Sequence, residues 1–436
     1  MTKKLVCVLL ALLMTITLCG CNLISGEAEA ILKAPKPGGQ LNAIQEALKR
    51  EVSSDYTLKY AKSGELRSAF LLENLRGDER QEAVVFYSLK KNKTESLNIS
   101  VFSSDEKDWR LIGSAAIGGT DIEKVQMGDV NGDKIPELVV GWSIYGAPEK
   151  RLTVFDLKGD IPLSVYEDSH FDYHLADLTK DKTQELIICT RDTVSETVKF
   201  SMLEYENKGM KVVSSCEADK KLTAIRRFNE TEVDSFPALF VDAFSGSEYY
   251  TEILYFDGTA LRAPLFEQSA QTGTLTARYS DISCGDVDDK KALEIPCQTA
   301  LPGEDSKETK LYLTEWKSYS RGQLSVVERS VISKAGQYRV IIDEAWLGKF
   351  TALSSQENDT CIFYEYSPSV GVGKELFRIS LIDKGESTDS EYSEWFQLYE
   401  EDSTVALAKI AAKSRKIDIS KVIIENAFRK TITEGK

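Results

Sequence analysis

Asp129-Val130-Asn131-Gly132-Asp133-Lys134-Ile135-Pro136-Glu137-Leu138-Val139-Val140 is the stretch on which the reading of this chain turns. Oxygen-bearing side chains stand at loop positions 1, 3, 5 and 9, as Asp129, Asn131, Asp133 and Glu137, and an apolar run follows directly. Three carboxylates, one amide and the carbonyl of Ile135 at that spacing can converge on one hard cation, and calcium takes roughly six to eight oxygen ligands. Gly132 relieves the tight turn. The same residues also fit an acidic turn held by carboxylate-to-backbone hydrogen bonds without any ion.

The unit recurs. Asp177-Leu178-Thr179-Lys180-Asp181-Lys182-Thr183-Gln184-Glu185 repeats it, with Thr179 a weaker ligand than Asn131 and Thr183 in the place of Ile135. Eroded copies are Asn74-Leu75-Arg76-Gly77-Asp78 with Glu82, Glu230-Thr231-Glu232-Val233-Asp234 with Ala238, and Asp286-Val287-Asp288-Asp289-Lys290 with Glu294. Arg76 and Lys290 put a fixed cation at a ligand position, and Ala238 removes the last ligand. These three copies are therefore expected to hold no metal. The fifth loop positions, Asp78, Asp133, Asp181, Asp234 and Lys290, lie 55, 48, 53 and 56 residues apart, a near-constant period that marks a repeat architecture.

Between loops the pattern is strand-like, with runs at 138–142, 151–156, 162–166 and 173–176 in the best unit. Four short antiparallel strands in about 50 residues describe one propeller blade. Five loops imply about five blades over 56–333, and the leading segment 56–75 is placed to add a strand to the last blade, because joining the ends removes exposed edges. The loops resemble the FG-GAP or VCBS repeats of integrin alpha-chain propellers and many bacterial surface proteins. The resemblance is carried by the second and third loops, and it implies a calcium-stiffened β-propeller.

After 333 the period stops. Residues 336–436 read as a small α+β domain, with strands at 338–342, 361–366 and 376–382 and helical character at 405–412 and 419–428. Before the repeats, 40–55 reads as a lead-in helix, with Leu41, Ile44 and Leu48 at helical spacing. The expected fold class is thus mainly β, an approximately five-bladed propeller followed by a small α+β domain.

At the amino end, 1–20 has the layout of a secretory signal: Lys3 and Lys4, an apolar run at 5–18 too short to span a membrane, then Leu18-Cys19-Gly20-Cys21. The last four residues resemble the lipobox of bacterial lipoproteins, which implies lipid on Cys21 and a place on the extracytoplasmic face of a bacterial membrane. The stretch 21–39, ending in Pro35, Pro37, Gly38 and Gly39, reads as an extended tether.

The net charge of −15 argues against a nucleic-acid partner, which calls for a basic stripe. Two histidines leave little room for histidine chemistry, and neither a nucleophile elbow nor a phosphate loop occurs. Cys189, Cys216, Cys284, Cys297 and Cys361 show no CxxC spacing and read as small buried hydrophobes, although Cys189 with Cys216 and Cys284 with Cys297 are spaced to face across strands. The expectation is a non-enzymatic, lipid-anchored binding protein for a protein or envelope glycan, with calcium as cofactor. An extracytoplasmic hydrolase with its site at the propeller mouth, or a structural envelope component, is the alternative.

Overall fold

The computed structural model describes residues 39–431 except 53–54, 79, 92–93, 106–107, 147–149, 193, 304–308, 356–357 and 389. The signal over 1–20, Cys21 and nearly all of the tether lie outside the described residues.

Six antiparallel sheets of four or five strands follow one another along the described chain, so the protein is mainly β. Each of the first four is built around an apolar strand: Glu82–Lys91, Glu137–Ser143, Glu185–Asp192 and Phe236–Phe244. In the last three of these the apolar residues run on without alternation and are buried almost throughout. A strand covered on both faces has no polar side to show, and this is why the sequence lacks period-two patterning there.

The four strands expected in the best unit exist as Glu137–Ser143, Lys150–Asp156, Leu163–His170 and Asp172–Ala176. They do not form one sheet, which corrects the expected register. Asp172–Ala176 opens the third sheet, where Ala176 pairs with Glu185 across the loop, and the second sheet opens instead with Asp121–Gly128. In the second and third sheets the loop therefore joins the first two strands; in the first sheet it joins Phe70–Glu73 to Glu82–Lys91, and in the fifth it runs from the Gly285–Glu294 bridge into Ile295–Ala300.

The fourth copy is not such a loop. Glu230 to Val233 belong to the strand Ala224–Val233, and Val233 pairs with Phe236 around Asp234 and Ser235, whose φ values of +48° and +74° define a two-residue hairpin.

The count of about five, taken from loops, also misses the sheet without one. Phe350–Ser355, Asp359–Ser367, Gly371–Asp383, Thr404–Ile410 and Phe396–Glu400 make the sixth sheet, so 405–412, expected to be helical, is strand. The boundary expected after 333 does not end the fifth sheet. Tyr338–Ile341 pairs with Gln323–Ile332, and Phe428–Lys430 adds a further strand to it. Val331, Tyr338, Phe363, Phe377, Ala408 and Phe428 share one apolar core. Of the helical character expected at 405–412 and 419–428, the described residues show an α-helix at Lys421–Ala427, capped by the Ser420 hydroxyl accepting from the Ile423 N–H.

By their contacts the residues group into two compact units, one comprising residues up to Val125 with Leu138–Pro148 and Thr153–Ser164, the other Gln126–Glu137, Glu149–Leu152 and the chain from Val165. In the first, the helix Gly39–Glu51 buries Ile44, Ala47 and Leu48 against Phe70, Val85, Phe102 and Trp109. In the second, Ile187, Phe200, Met202, Leu239, Val241 and Tyr250 form one core and the Tyr338 cluster another.

Candidate metal-holding loops

One backbone device recurs in four of the loops. The glutamate at position 9 is buried and accepts the backbone N–H of position 2: Leu75 to Glu82 at 3.0 Å, Val130 to Glu137 at 3.0 Å, Leu178 to Glu185 at 2.6 Å and Val287 to Glu294 at 2.9 Å. Position 1 accepts further backbone N–H groups. Asp129 takes those of Gly132 and Lys134 at 2.7 and 2.8 Å, Asp177 that of Lys182 at 3.0 Å, and Asp286 those of Lys290 and Lys291 at 3.1 and 2.8 Å. Position 4 has positive φ in every copy: Gly77, Gly132, Lys180 and Asp289 at +70°, +80°, +63° and +60°. Only two of these are glycines. The acidic-turn account thus describes part of every loop, since a carboxylate that gathers N–H groups closes the turn by itself.

The loops differ in what remains. In the second, Asn131 Nδ2 donates to Glu137 at 2.6 Å, the Asn131 carbonyl oxygen accepts from Asp133 N–H, and Asp133 accepts from Ile135 N–H. Each expected ligand side chain there, Asp129, Asn131, Asp133 and Glu137, closes the turn, and Ile135 contributes its N–H to it. In the third, Thr179 donates to Glu185 and Asp181 accepts from Thr183 N–H, yet Oδ1 of Asp177 is buried with no hydrogen-bond partner. Asp177, Asp181 and Glu185 each bring a carboxylate oxygen within 4.8 Å of the others.

Asp286, Asp288 and Glu294 converge in the same way in the fifth loop. Among the described residues these two carboxylate groups could hold a metal ion, and Asp129, Asp133 and Glu137 do not form a third. Sequence reasoning passed over the fifth loop because of Lys290. Its ammonium takes Oδ2 of Asp288 at 2.6 Å but leaves Oδ1 buried without a partner. The acidic pattern of Asp286, Asp288 and Glu294 was itself the available signal. In the first loop, Arg76 reaches Asp160 at 3.3 Å instead of the loop carboxylates, and Asp78 pairs with Arg80.

Burial, aggravated by neighbouring aspartates, lifts the carboxyls of Glu185 and Glu294 to about 7, in Glu294 against the opposing pull of Lys290. Glu185 also lines a cavity of about 180 Å³ with Asn131, Asp181, Glu204 and Tyr205.

The other candidates resolve simply. His174 stacks on Phe228 at 5.0 Å and meets Glu230 at 3.1 Å, while His170 packs edge-on to Tyr173. The five cysteines among the described residues are free, and four of them are buried. Cys189 and Cys216 pair with opposite sides of Phe200, one strand apart, which keeps their sulfurs from bonding.

No protein-family model matches the chain, and no curated protein matches it by sequence. Similar solved structures include the exotype rhamnogalacturonan lyase YesX, with 12% identity over 73% of each chain and a TM-score of 0.33. An exo-β-1,3-galactanase from Phanerochaete chrysosporium has 12% identity over 79% of this chain and 82% of its own, with a TM-score of 0.29. The Dos1 propeller has 8% identity over 66% of this chain and 79% of its own, with a TM-score of 0.31. Two of the three are enzymes, so the expectation of a chain without enzymatic activity is withdrawn as a correction. Likeness at this level assigns no reaction.

Proposed function

We propose that the chain is a six-bladed, propeller-type protein of the FG-GAP or VCBS kind, held on the extracytoplasmic face of a bacterial membrane by lipid on Cys21. It engages an extracellular polymer, and calcium stiffens the loops at Asp177, Asp181 and Glu185 and at Asp286, Asp288 and Glu294. The observation that carries the reading is the convergence of three carboxylates around a buried, unpartnered aspartate oxygen in each loop. An unpaired carboxylate oxygen in a buried position is costly, and a hard cation with oxygen ligands removes that cost. Six successive antiparallel sheets support the blade count.

Calorimetric titration of calcium into chelator-treated protein tests this. Two saturable sites near the millimolar range of extracellular calcium modules are expected. Asp181→Asn removes one of them and Asp288→Asn the other. Absence of binding heat well beyond that range refutes the calcium role.

Hydrolysis of an extracellular carbohydrate is the second reading. It is favoured by the Glu185 carboxyl, raised to about 7, lining one cavity with Asp181 and Glu204. Glycosidic cleavage uses such a pairing of a proton-holding carboxyl with a second carboxylate. Release of reducing ends from a polysaccharide, lost in Glu185→Gln, is its readout.

A further inference from the structure

Ser367-Pro368-Ser369-Val370-Gly371 forms the tip of the hairpin between Asp359–Ser367 and Gly371–Asp383 in the sixth sheet. The Val370 N–H donates to the Ser367 carbonyl at 3.2 Å and Gly371 takes a φ of +82°, so the turn is closed by its own backbone and leaves Val370 78% exposed. Val372, also exposed, follows on the returning strand. We infer that this tip, with Lys374, Lys413 and Arg415 beside it, docks on an anionic lipid surface, the valines entering the interface and the cations meeting lipid phosphates. The inference rests on the reading of the chain as held at a membrane, and it names the face turned toward that membrane.

The register gathers the charges at this end of the hairpin. The N–H groups of Ala411 and Ala412 reach the Leu376 carbonyl at 2.8 and 3.2 Å, so the chain leaving Thr404–Ile410 runs beside the start of Gly371–Asp383. Lys374 Nζ then donates to the Lys413 carbonyl at 2.5 Å, which fixes the two basic segments against each other. Lys374, Lys413 and Arg415 are all exposed. The neighbouring carboxylates are already answered, since Lys416 holds Glu365 at 3.0 Å and Arg378 holds Glu375 at 2.6 Å. Among the described residues no carboxylate pairs with Lys374, Lys413 or Arg415, and Asp418 is the remaining acid on the segment that carries the last two.

A chain of net charge −15 is repelled by an anionic membrane over most of its surface, so a local excess of cations decides which face approaches. Each lysine or arginine close to such a surface is worth about fivefold in partitioning. Apolar side chains in the same patch add burial at the boundary of headgroups and acyl chains, and the two contributions act together. Exposure of a valine is not enough by itself. Val194 is 93% exposed, yet Asp192 and Glu196 flank it, and that tip would be turned away. A turn as small and convex as 367–371 also offers a rigid protein partner far less than the roughly 800 Å² a side of a stable interface, whereas a fluid lipid interface closes around it.

The test is co-sedimentation of the full chain carrying Cys21→Ser, which removes the acylation site, with vesicles of phosphatidylglycerol and phosphatidylcholine in equal parts or of phosphatidylcholine alone. A chelator is present so that calcium does not bridge the acidic chain to lipid. Partitioning at least about tenfold stronger onto the phosphatidylglycerol vesicles, and weakened by added salt, is expected. Replacing Lys374, Lys413 and Arg415 together by Gln should weaken it about tenfold or more, and Val370→Asp by a similar factor, with melting curves verifying folding. Val194→Asp should leave it unchanged. Equal partitioning onto both vesicles, or partitioning untouched by the folded variants, overturns the inference. Soluble polyglutamate bound as tightly as the vesicles would show that the patch reads charge alone, and overturns it too. If the parent chain stays in the cell membrane fraction while the Cys21→Ser chain ignores phosphatidylglycerol, the docking face is lost and the lipid anchor stands; if the parent leaves that fraction while vesicle binding persists, the anchor is lost and the docking face stands.

Discussion

Two regions of the molecule crowd carboxylates together and neutralise them differently. In the fourth sheet, Asp242 is fully buried and bonded to the equally buried Arg278, Nη2 to Oδ1 at 2.6 Å. Asn229 and Thr251 donate to the same carboxylate at 2.9 and 2.8 Å, and Ser283 at 3.1 Å. The charge and its lone pairs are satisfied by covalent parts of the chain. In the third-sheet loop, Asp177, Asp181 and Glu185 converge with backbone N–H groups and the Thr179 hydroxyl as donors, with no cationic side chain on them, and one aspartate oxygen is left over. The first arrangement is finished at folding, whereas the second brings together three carboxylates that could hold a metal ion. The fifth loop stands between them, with Lys290 on one oxygen of Asp288. Glu252, ten residues after Asp242 in the same sheet, shows a further solution. It is fully buried, accepts the Asp219 N–H at 3.4 Å, and burial lifts its carboxyl to about 8, so it keeps its proton at neutral pH.

The comparison breaks first at Arg278. Arg278→Met leaves Asp242 buried without a counter-charge, and such removal costs about 3–5 kcal/mol. Urea unfolding checks this, and a loss under about 1 kcal/mol would mean that Asp242 does not depend on its guanidinium.

Glu252 comes next. Its folded pKa of about 8 lies above the ordinary glutamate value of 4.5, so the folded chain holds a proton that the unfolded chain releases. Its contribution to stability is complete below pH 4.5 and is lost as pH rises toward 8. Glu252→Gln should flatten that fall and gain about 2–4 kcal/mol at pH 8 relative to the parent. Equal slopes in parent and variant between pH 5 and 8 would refute the assignment.

Lys290→Ala gives the smallest effect. Its ammonium is 76% exposed, so solvent screens its hold on Asp288, and removing it should tighten calcium at the fifth loop only about three- to tenfold. Unchanged affinity by titration would show that the ammonium does not compete with the ion.

Much of this was legible in the residues. The loop period located four of the six sheets, because an acidic turn followed by an apolar run is a local pattern. The fourth sheet was located by the same period for a different reason, since Asp234 and Ser235 form a hairpin where the other sheets have loops. The sixth sheet was missed because only three residues separate Phe350–Ser355 from Asp359–Ser367, too few to carry the nine-residue acidic pattern. Val405 to Ala408, a short apolar run, reads equally as helix or strand, and only its pairing with Phe377 to Asp383 settles it.

The sequence by itself determined the β-rich repeat, the loop chemistry and the expectation of a secreted, lipid-bearing amino end, all of which depend on neighbours along the chain. Tertiary structure decided that the loops lie within sheets, that the third and fifth loops rather than the second assemble three carboxylates, and that Tyr279 meets Tyr312. Sheet membership and the Tyr279–Tyr312 contact depend on residues far apart in the chain, and within each nine-residue loop the side-chain hydrogen bonds, not the spacing alone, decide which carboxylates converge.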